Sequence, residues 1–246
     1  MMIPMALQLY TLRDVAEKDF SGTLKRVSQI GYTGVEFAGY GGMEAKDLKN
    51  LLDELNLKPA GSHVGVDVLT TDLKKVIDYN SQIGNHFIVC PWQKYATKDD
   101  FLSFAKVLNE IGQKCHDNGL KLCYHNHAHE FERFQGNYGL DLLFENTDPD
   151  LVDFEIDTYW VEYAGADPIS YIRKFGKRAS LLHLKDMERV GKDFAEVGTG
   201  IMDIRGIVST AKFVGTKWLI VEQDKCKKDP FESIKISLDN LKKIDI

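Results

Sequence analysis

Histidines and acidic residues collect at the ends of the short apolar segments of this sequence. Five of the seven histidines stand in such positions: His63, His125, His127, His129 and His183. Asp157 and Glu222 stand at or near the ends of two further segments. Imidazole and carboxylate ligands without cysteine suit a divalent cation such as Mn²⁺, Zn²⁺, Co²⁺ or Mg²⁺. Such a cation polarises a carbonyl and stabilises an enediolate, while carboxylates beside it move a proton on and off carbon.

Asp157, His183 and Glu222 come from three successive apolar segments, which makes them the first candidates for metal ligands. The alternative for either acid alone is an ion pair with Lys185 or Arg178. Burying all three groups in one place without a cation would be costly, because charged groups lose their hydration there. The set as a whole therefore predicts a metal site.

The elements that carry these residues have the pattern of buried β-strands. Eight runs of about four to eight residues are rich in Leu, Ile, Val, Phe or Tyr, which is typical of strands covered on both faces. The predicted strands are Ala6–Tyr10, Gly34–Phe37, Lys58–His63, His86–Cys90, Lys121–Asn126, Val152–Asp157, Ser180–Lys185 and Trp218–Gln223.

Amphipathic segments separate the strands, and their apolar spacings of three and four give each predicted helix one buried face. The predicted helices are Phe20–Ile30, Asp47–Leu55, Leu73–Ile83, Phe101–Cys115, Leu140–Phe144, Pro168–Phe175, Ile204–Phe213 and Pro230–Leu241. Eight strand–helix units in 246 residues average about 31 residues each, and the whole length is typical of a (β/α)8 barrel. We therefore predict an α/β fold: one (β/α)8 TIM-barrel domain over residues 1–246.

A doubly wound open sheet is the competing architecture for this alternation. Its usual marker is a Gly-x-Gly-x-x-Gly turn after the first strand, and no glycine occupies the three positions after Tyr10. In a barrel the active site lies at the carboxyl ends of the strands, so the histidines and acids would meet there. Lys185, two residues after His183, would share that face.

Six stretches match a known pattern in order and spacing. They are 31–36 (GYTGVE), 124–127 (YHNH) with Glu130 and Phe131, 154–160 (FEIDTYW), 183–186 (HLKD), 197–200 (VGTG) and Val221–Glu222. With them the chain resembles the sugar phosphate isomerase/epimerase superfamily. Its members are xylose-isomerase-like TIM barrels, and they include ketose 3-epimerases, inosose dehydratase and endonuclease IV. The resemblance spans nearly the whole chain and does not identify a substrate.

The resemblance implies a divalent metal held by Glu, Asp, His and Glu at the ends of strands five to eight. Asp157, His183 and Glu222 match the last three of these positions. The first position departs from the pattern, because His125 stands where many members have Glu. We expect Glu130, in the following loop, to supply the missing carboxylate as a metal ligand, and His125 is the alternative ligand.

The remaining candidate residues are assigned by their place at the barrel mouth. We assign proton transfer to His63, Glu130 and Glu222, and an alternative role for His63 is substrate contact. Substrate binding is assigned to four residues: Glu36, His125, His127 and Lys185. Trp92 and Trp160 either wall the sugar by stacking on its apolar face or pack in the loops.

The site and the resemblance together predict a metal-dependent isomerase or epimerase that acts on a sugar, keto-sugar or polyol through an enediolate. The alternative is a lyase or dehydratase on a keto-inositol or keto-glycoside with the same metal. The histidine-rich segment 124–130 favours this alternative, since imidazoles can act as general acids. An abasic-site endonuclease and a sugar-binding barrel without catalysis are further hypotheses.

Charge and hydropathy bear on the partners. Lysine plus arginine number 31 and aspartate plus glutamate 37, so the net charge is −6. Nucleic-acid binding is not expected of such a chain, since that binding requires an excess of basic side chains to neutralise the phosphates. No segment approaches the roughly 20 apolar residues of a membrane span, and positions 1–10 lack the charged start of a signal peptide. We expect a cytoplasmic protein without a membrane partner, and the resemblance is compatible with a homo-oligomer.

Overall fold

Eight parallel strands close into a barrel, and each pairs with its neighbours in chain order. A computed structural model describes residues 3–244; positions 1, 2, 245 and 246 of the predicted domain lie outside the described residues. The strands are β1 (Met5–Gln8), β2 (Gly34–Phe37), β3 (Lys58–His63), β4 (Phe87–Cys90), β5 (Lys121–His125), β6 (Val152–Asp157), β7 (Ala179–Leu184) and β8 (Trp218–Val221). Because β1 pairs with both β2 and β8, the sheet has no open edge. The predicted (β/α)8 barrel is confirmed.

Each barrel strand is followed by a helix of the outer layer. The helices are α1 (Phe20–Ile30), α2 (Ala45–Glu54), α3 (Leu73–Ile83), α4 (Lys98–Asp117), α5 (Gly139–Asn146), α6 (Pro168–Phe175), α7 (Ile204–Val214) and α8 (Pro230–Leu241). The predicted bounds of α1, α3, α6 and α8 agree with the structure to the residue. Within residues 3–244, no helix has the length and the apolar character needed to cross a membrane.

Local sequence signals begin and end these helices. Asp167 and Asp229 accept backbone N–H hydrogen bonds at the starts of α6 and α8, where a proline takes the first helical position. Gly31 and Gly84 follow α1 and α3 with φ angles of 105° and 76°. Side chains with a Cβ are strained in this left-handed region, so glycine ends both helices at low cost.

The barrel interior has an apolar layer beneath a polar one. The apolar layer consists of six buried residues: Ala6, Ala60, Val89, Cys123, Leu181 and Ile220. Four polar residues each stand two positions after a member of this layer: Gln8 after Ala6, His125 after Cys123, His183 after Leu181 and Glu222 after Ile220. Side chains on one face of a strand recur at every second residue, so these four also face inward. The candidate site therefore lies at the carboxyl ends of the strands, above an apolar floor.

Short elements absent from the sequence prediction follow several strands. A helix over Thr158–Tyr163 comes directly after β6, and the Asp157 side chain caps it by accepting a hydrogen bond from Trp160 N. The other short helices and turns are Leu9–Leu12, Arg13–Ala16, Val66–Thr71, His129–Phe131 and Gly176–Arg178. Two hairpins pair Arg133–Phe134 with Asn137–Tyr138 and Asp186–Met187 with Phe194–Ala195.

Candidate metal centre and active site

Asp157, His183 and Glu222 converge at the mouth of the barrel. One potential ligand atom of each lies within 4.8 Å of the other two. His183 Nδ1 is 3.0 Å from Glu222 Oε2 and 3.9 Å from Asp157 Oδ2. All three side chains are buried. The structure thus brings together the three residues that the sequence analysis grouped, and their role as metal ligands stays a prediction.

The structure does not bring Glu130 to these three residues. Its Oε1 accepts a hydrogen bond from the Tyr124 hydroxyl at 2.6 Å, and its Oε2 accepts one from His127 N at 2.8 Å. Strand alternation explains this position: Tyr124 packs into the core outside the barrel, whereas His125 is the inward-facing residue at the end of β5. Burial raises the pKa of Glu130 above its ordinary value.

His125 lies between a buried glutamate and one of the three converging residues. Its Nδ1 is 2.9 Å from Glu155 Oε2, and its Nε2 is 3.8 Å from Asp157 Oδ2. Burial, together with the nearby His183 imidazole, lowers the pKa of His125 well below its ordinary value. At neutral pH the ring is therefore uncharged, and an uncharged imidazole can bind a metal.

Glu155 is a site residue that the sequence analysis missed. Its Oε2 lies 2.8 Å from His63 Nε2, 2.9 Å from His125 Nδ1 and 3.1 Å from His183 Nε2. These four residues form a second group with ligand atoms within 4.8 Å of one another. The signal was present in the sequence, because Glu155 stands two residues before Asp157 and shares its face of β6.

Glu36, a predicted substrate contact, is fully buried. Its Oε2 accepts hydrogen bonds from Gln8 Nε2 at 2.7 Å and from His183 Nε2 at 2.6 Å. His63 Nε2 is also 3.2 Å from this oxygen. The surroundings of Glu36 are thus those of a residue that orients its neighbours.

The barrel register is irregular at both buried glutamates. The pairing of β2 with β3 shifts between Val35 and Glu36. The pairing of β6 with β7 shifts between Phe154 and Glu155. An extra residue in one strand locally turns the chain and re-aims the side chains that follow. The shifts therefore occur where the backbone begins to direct charged groups into the barrel.

The inner histidines and glutamates stabilise one another's charges. Burial alone would lower the pKa of His63, but Glu36 and Glu155 raise it to about 10. Burial would raise the pKa of Glu36, and His63 and His183 more than offset this and hold it below its ordinary value. Among residues 3–244, no lysine or arginine forms an ion pair with either glutamate. Imidazoles alone therefore compensate these carboxylates.

Lys185 provides the positive charge at the outer side of the site. Its Nζ lies 2.9 Å from Asp157 Oδ2, 2.6 Å from Glu222 Oε2 and 2.8 Å from Asp224 Oδ2. Burial lowers the pKa of Lys185, but the three carboxylates outweigh it and raise the pKa well above its ordinary value. Burial raises the pKa of Asp157 to about 6, although Lys185 and His183 act in the opposite direction. The ion pair considered as an alternative to metal binding is thus present, and its single ammonium is shared among three carboxylates.

The donor set fits a divalent cation. Asp157 uses Oδ1 to cap the following helix, whereas its buried Oδ2 has no hydrogen-bond partner among residues 3–244. The Lys185 ammonium is near this oxygen but outside hydrogen-bond geometry. This one ammonium is shared among Asp157, Glu222 and Asp224, and a cation bound by Asp157, His183 and Glu222 would add positive charge beside the buried carboxylates. Oxygen and imidazole donors suit Mn²⁺, Zn²⁺ or Co²⁺.

A cavity of about 450 Å³ opens above these residues. Its charged and imidazole lining comes from two sides of the barrel: His63, His125 and His127 from β3 and β5, and Lys185, Glu222 and Asp224 from β7 and β8. Burial, with Lys185 next in effect, lowers the pKa of His127 to about 3. Trp92 lines the same cavity, while the Trp160 ring lies 5.7 Å from the His127 ring. The volume suits a small ligand such as a monosaccharide or a cyclic polyol.

The sequence model of a known barrel family matches this chain over residues 24–244, from α1 to the end of the described structure. The chain belongs to the xylose isomerase-like TIM barrel family. The match includes every site residue described above except Gln8. Membership in this family confirms the resemblance that the sequence motifs indicate.

Proteins that are similar to this chain carry different names. The inosose dehydratase of Lacticaseibacillus casei is 25% identical, over 88% of this chain and 86% of the relative. The inosose dehydratase of Clostridium beijerinckii has the same identity and coverage. A solved sugar phosphate isomerase/epimerase from Parabacteroides distasonis is 26% identical, with a TM-score of 0.86 and 98% of each chain covered. The IolI protein, solved with a bound zinc atom, shares the fold at 15% identity, with a TM-score of 0.79 and 98% of each chain covered.

Proposed function

We propose that this protein is a metal-dependent lyase that removes water from a cyclic keto-sugar or keto-polyol. The observation that carries the proposal is the lining of the cavity, with Glu222 and Lys185 on the β7–β8 side and His63 and His127 on the β3–β5 side. An elimination needs a base and an acid at different places, since the proton and the hydroxyl leave from neighbouring carbons. The identity of 25% to inosose dehydratases over 88% of the chain supports the same class of reaction.

Two side chains would share the proton transfers. Glu222, whose pKa Lys185 and His183 hold low in spite of burial, would take the proton from the carbon next to the carbonyl. The electron pair of that C–H bond forms a carbon–carbon double bond as the C–O bond of the neighbouring carbon breaks. His63, protonated between Glu36 and Glu155, would give a proton to the departing hydroxyl, which leaves as water.

Three residues would hold the cation, namely Asp157, His183 and Glu222. When bound, the cation supplies a Lewis acid that polarises the substrate carbonyl. Lys185, which lines the cavity beside Asp224, would donate a hydrogen bond to a second substrate oxygen. Glu130 takes no part in this proposal, because both of its oxygens accept hydrogen bonds outside the group.

The test is incubation of the metal-loaded protein with 2-keto-myo-inositol and with a panel of keto-sugars, followed by mass spectrometry of the products. We expect loss of one water per turnover, only with the cation present. Glu222→Gln should slow the reaction by about 10²-fold or more, the usual contribution of a positioned base. Glu54→Gln changes an exposed glutamate of α2 and should leave the rate unchanged. Water loss that survives chelation or Glu222→Gln would contradict the proposal.

An isomerase or epimerase is the second candidate function. It is favoured by the likeness to the Parabacteroides distasonis isomerase/epimerase, at 26% identity and a TM-score of 0.86. The first step would be the same, but the proton would return to carbon and no C–O bond would break. A second carboxylate base on the β5 side would serve this reaction, and Glu130 does not line the cavity. Deuterium uptake from D₂O without loss of water would favour this candidate over the lyase.

A further inference from the structure

We propose that His125 is the fourth protein ligand of the cation and binds it through Nε2, and that Glu155 and Glu36 position the two ligating imidazoles. The inference rests on the proposed metal-dependent function. It places an imidazole at the end of β5, where the resemblance implies a carboxylate, and it leaves Glu130 with a structural role.

The hydrogen bonds of His125 orient it for this task. Its Nδ1 is 2.9 Å from Glu155 Oε2, and an ionised carboxylate only accepts, so Nδ1 carries the proton. Nε2 of the neutral ring then keeps its lone pair. It faces Asp157 Oδ2 at 3.8 Å. Two ligands about 2.1 Å from a tetrahedral ion are about 3.4 Å apart, so this gap is close to the one that a cation needs.

His183 has the same arrangement with its two nitrogens exchanged. Nε2 is held by Glu36 Oε2 at 2.6 Å, and Gln8 Nε2 donates to the same oxygen at 2.7 Å. Nδ1 is on the side of Glu222 Oε2, at 3.0 Å. A carboxylate on the far nitrogen of a metal-binding histidine fixes its tautomer and its ring orientation. Glu155 therefore positions the His125 ring in the same way that Glu36 positions the His183 ring.

Glu130 would lose two hydrogen bonds by moving to the cation. Its Oε1 accepts from the buried Tyr124 hydroxyl, and its Oε2 accepts from His127 N, which is partly buried. Leaving a buried donor without an acceptor costs about 1–3 kcal/mol. His125 would keep its hydrogen bond to Glu155, and its Nε2 already faces Asp157 Oδ2 at 3.8 Å; a shift of this ring toward His183 and Glu222 would complete the set.

The main alternative position for the cation is the inner group of His63, His125, Glu155 and His183. A cation there would bind the nitrogens that face Glu155, which are Nδ1 of His125 and Nε2 of His183. It would also leave the Lys185 ammonium, which is shared with Glu222 and Asp224, as the cation beside Asp157 Oδ2. The two positions therefore differ in which nitrogen of each ring binds the metal, and this difference can be measured.

The experiment uses the full chain with ¹⁵N-labelled histidine and ¹¹³Cd²⁺ as the probe. NMR detects a scalar coupling between ¹¹³Cd and each nitrogen that binds it. We expect two couplings, one to an Nε2 and one to an Nδ1. His125→Gln should remove the Nε2 coupling, whereas His116→Gln, an exposed histidine at the end of α4, should change neither.

Two glutamate variants separate positioning from ligation. Glu155→Gln should keep both couplings and weaken Cd²⁺ binding by about 10–100-fold, the usual effect of losing the partner of a metal-binding histidine. Glu130→Gln should leave both the couplings and the affinity unchanged. A lost or altered coupling in Glu130→Gln would overturn the assignment of Glu130 to a structural role.

Two results for the unsubstituted protein would overturn the inference. Couplings to Nδ1 of His125 and Nε2 of His183 would place the cation in the inner group, and coupling to one imidazole only would exclude His125. Both positions give one Nδ1 and one Nε2 coupling, so each coupled ring is assigned to its residue; with that assignment the spectrum decides the matter even where His125→Gln does not fold. Failure to bind Cd²⁺ or Mn²⁺ at all would instead contradict the proposed metal-dependent function, so the two failures are distinguishable.

Discussion

Replacing Lys185 by methionine should strongly destabilise the cation-free protein. The Lys185 ammonium is the only lysine or arginine group of residues 3–244 that is ion-paired with Asp157 and Glu222, at 2.9 and 2.6 Å. Both carboxylates are almost fully buried, so after the substitution little water could reach them to stabilise their charges in place of the ammonium. Removing one partner of a buried ion pair costs about 3–5 kcal/mol. Asp224, with a side chain 24% exposed, should add little because solvent screens its charge.

Urea unfolding in a chelating buffer, followed by circular dichroism, measures this loss. The free energy of unfolding of Lys185→Met should fall by about 3–5 kcal/mol. Lys106→Met changes an exposed lysine of α4 and should stay within about 0.5 kcal/mol of the wild type. A divalent cation at 100 times its Kd should restore about 2.7 kcal/mol. A Lys185→Met protein within about 1 kcal/mol of the wild type in chelator would refute the reasoning.

Three further substitutions test other parts of the structure. The two carboxylate oxygens of Asp186 each accept two backbone N–H hydrogen bonds, and Asp186→Asn replaces one of these oxygens by an amide NH₂ group. Urea unfolding should show that the free energy of unfolding falls by about 3 kcal/mol or more, since hydrogen bonds to charged groups contribute about 1.5–3 kcal/mol each. Gly61→Ala would place a Cβ 2.3 Å from Glu36 Oε1; calorimetric titration should then show Mn²⁺ binding about 10–100-fold weaker, because the partner of His183 is displaced. Glu130→Gln should lower the free energy of unfolding by about 1–3 kcal/mol through its weakened buried hydrogen bonds, and unchanged stability would contradict the structural role.

The barrel elements were predictable because each carries its own periodic pattern. Strands β2, β3 and β6 and helix α1 have the predicted bounds, since apolar runs and amphipathic spacing differ in period. The helix over Thr158–Tyr163 was missed. It has only six residues, too few to be stable alone, and it forms where the Asp157 side chain caps it and the barrel supports it. Local pattern therefore predicts the layers of the fold but not the short segments that depend on them.

The candidate site likewise has a part that the sequence predicts and a part that only the folded barrel decides. Strand alternation alone places His183 and Lys185 on one inward face and brings Asp157 and Glu222 to the same rim, so the sequence by itself determined this group. Tertiary structure decided the position of Glu130, because its loop packs against the outer face of β5, where hydrogen-bond donors meet its carboxylate. It also decided which imidazole nitrogens face the cavity, since that depends on carboxylates contributed by strands far apart in the chain. Periodicity reports which side of a strand a residue faces, whereas partner and tautomer are set only when the barrel closes.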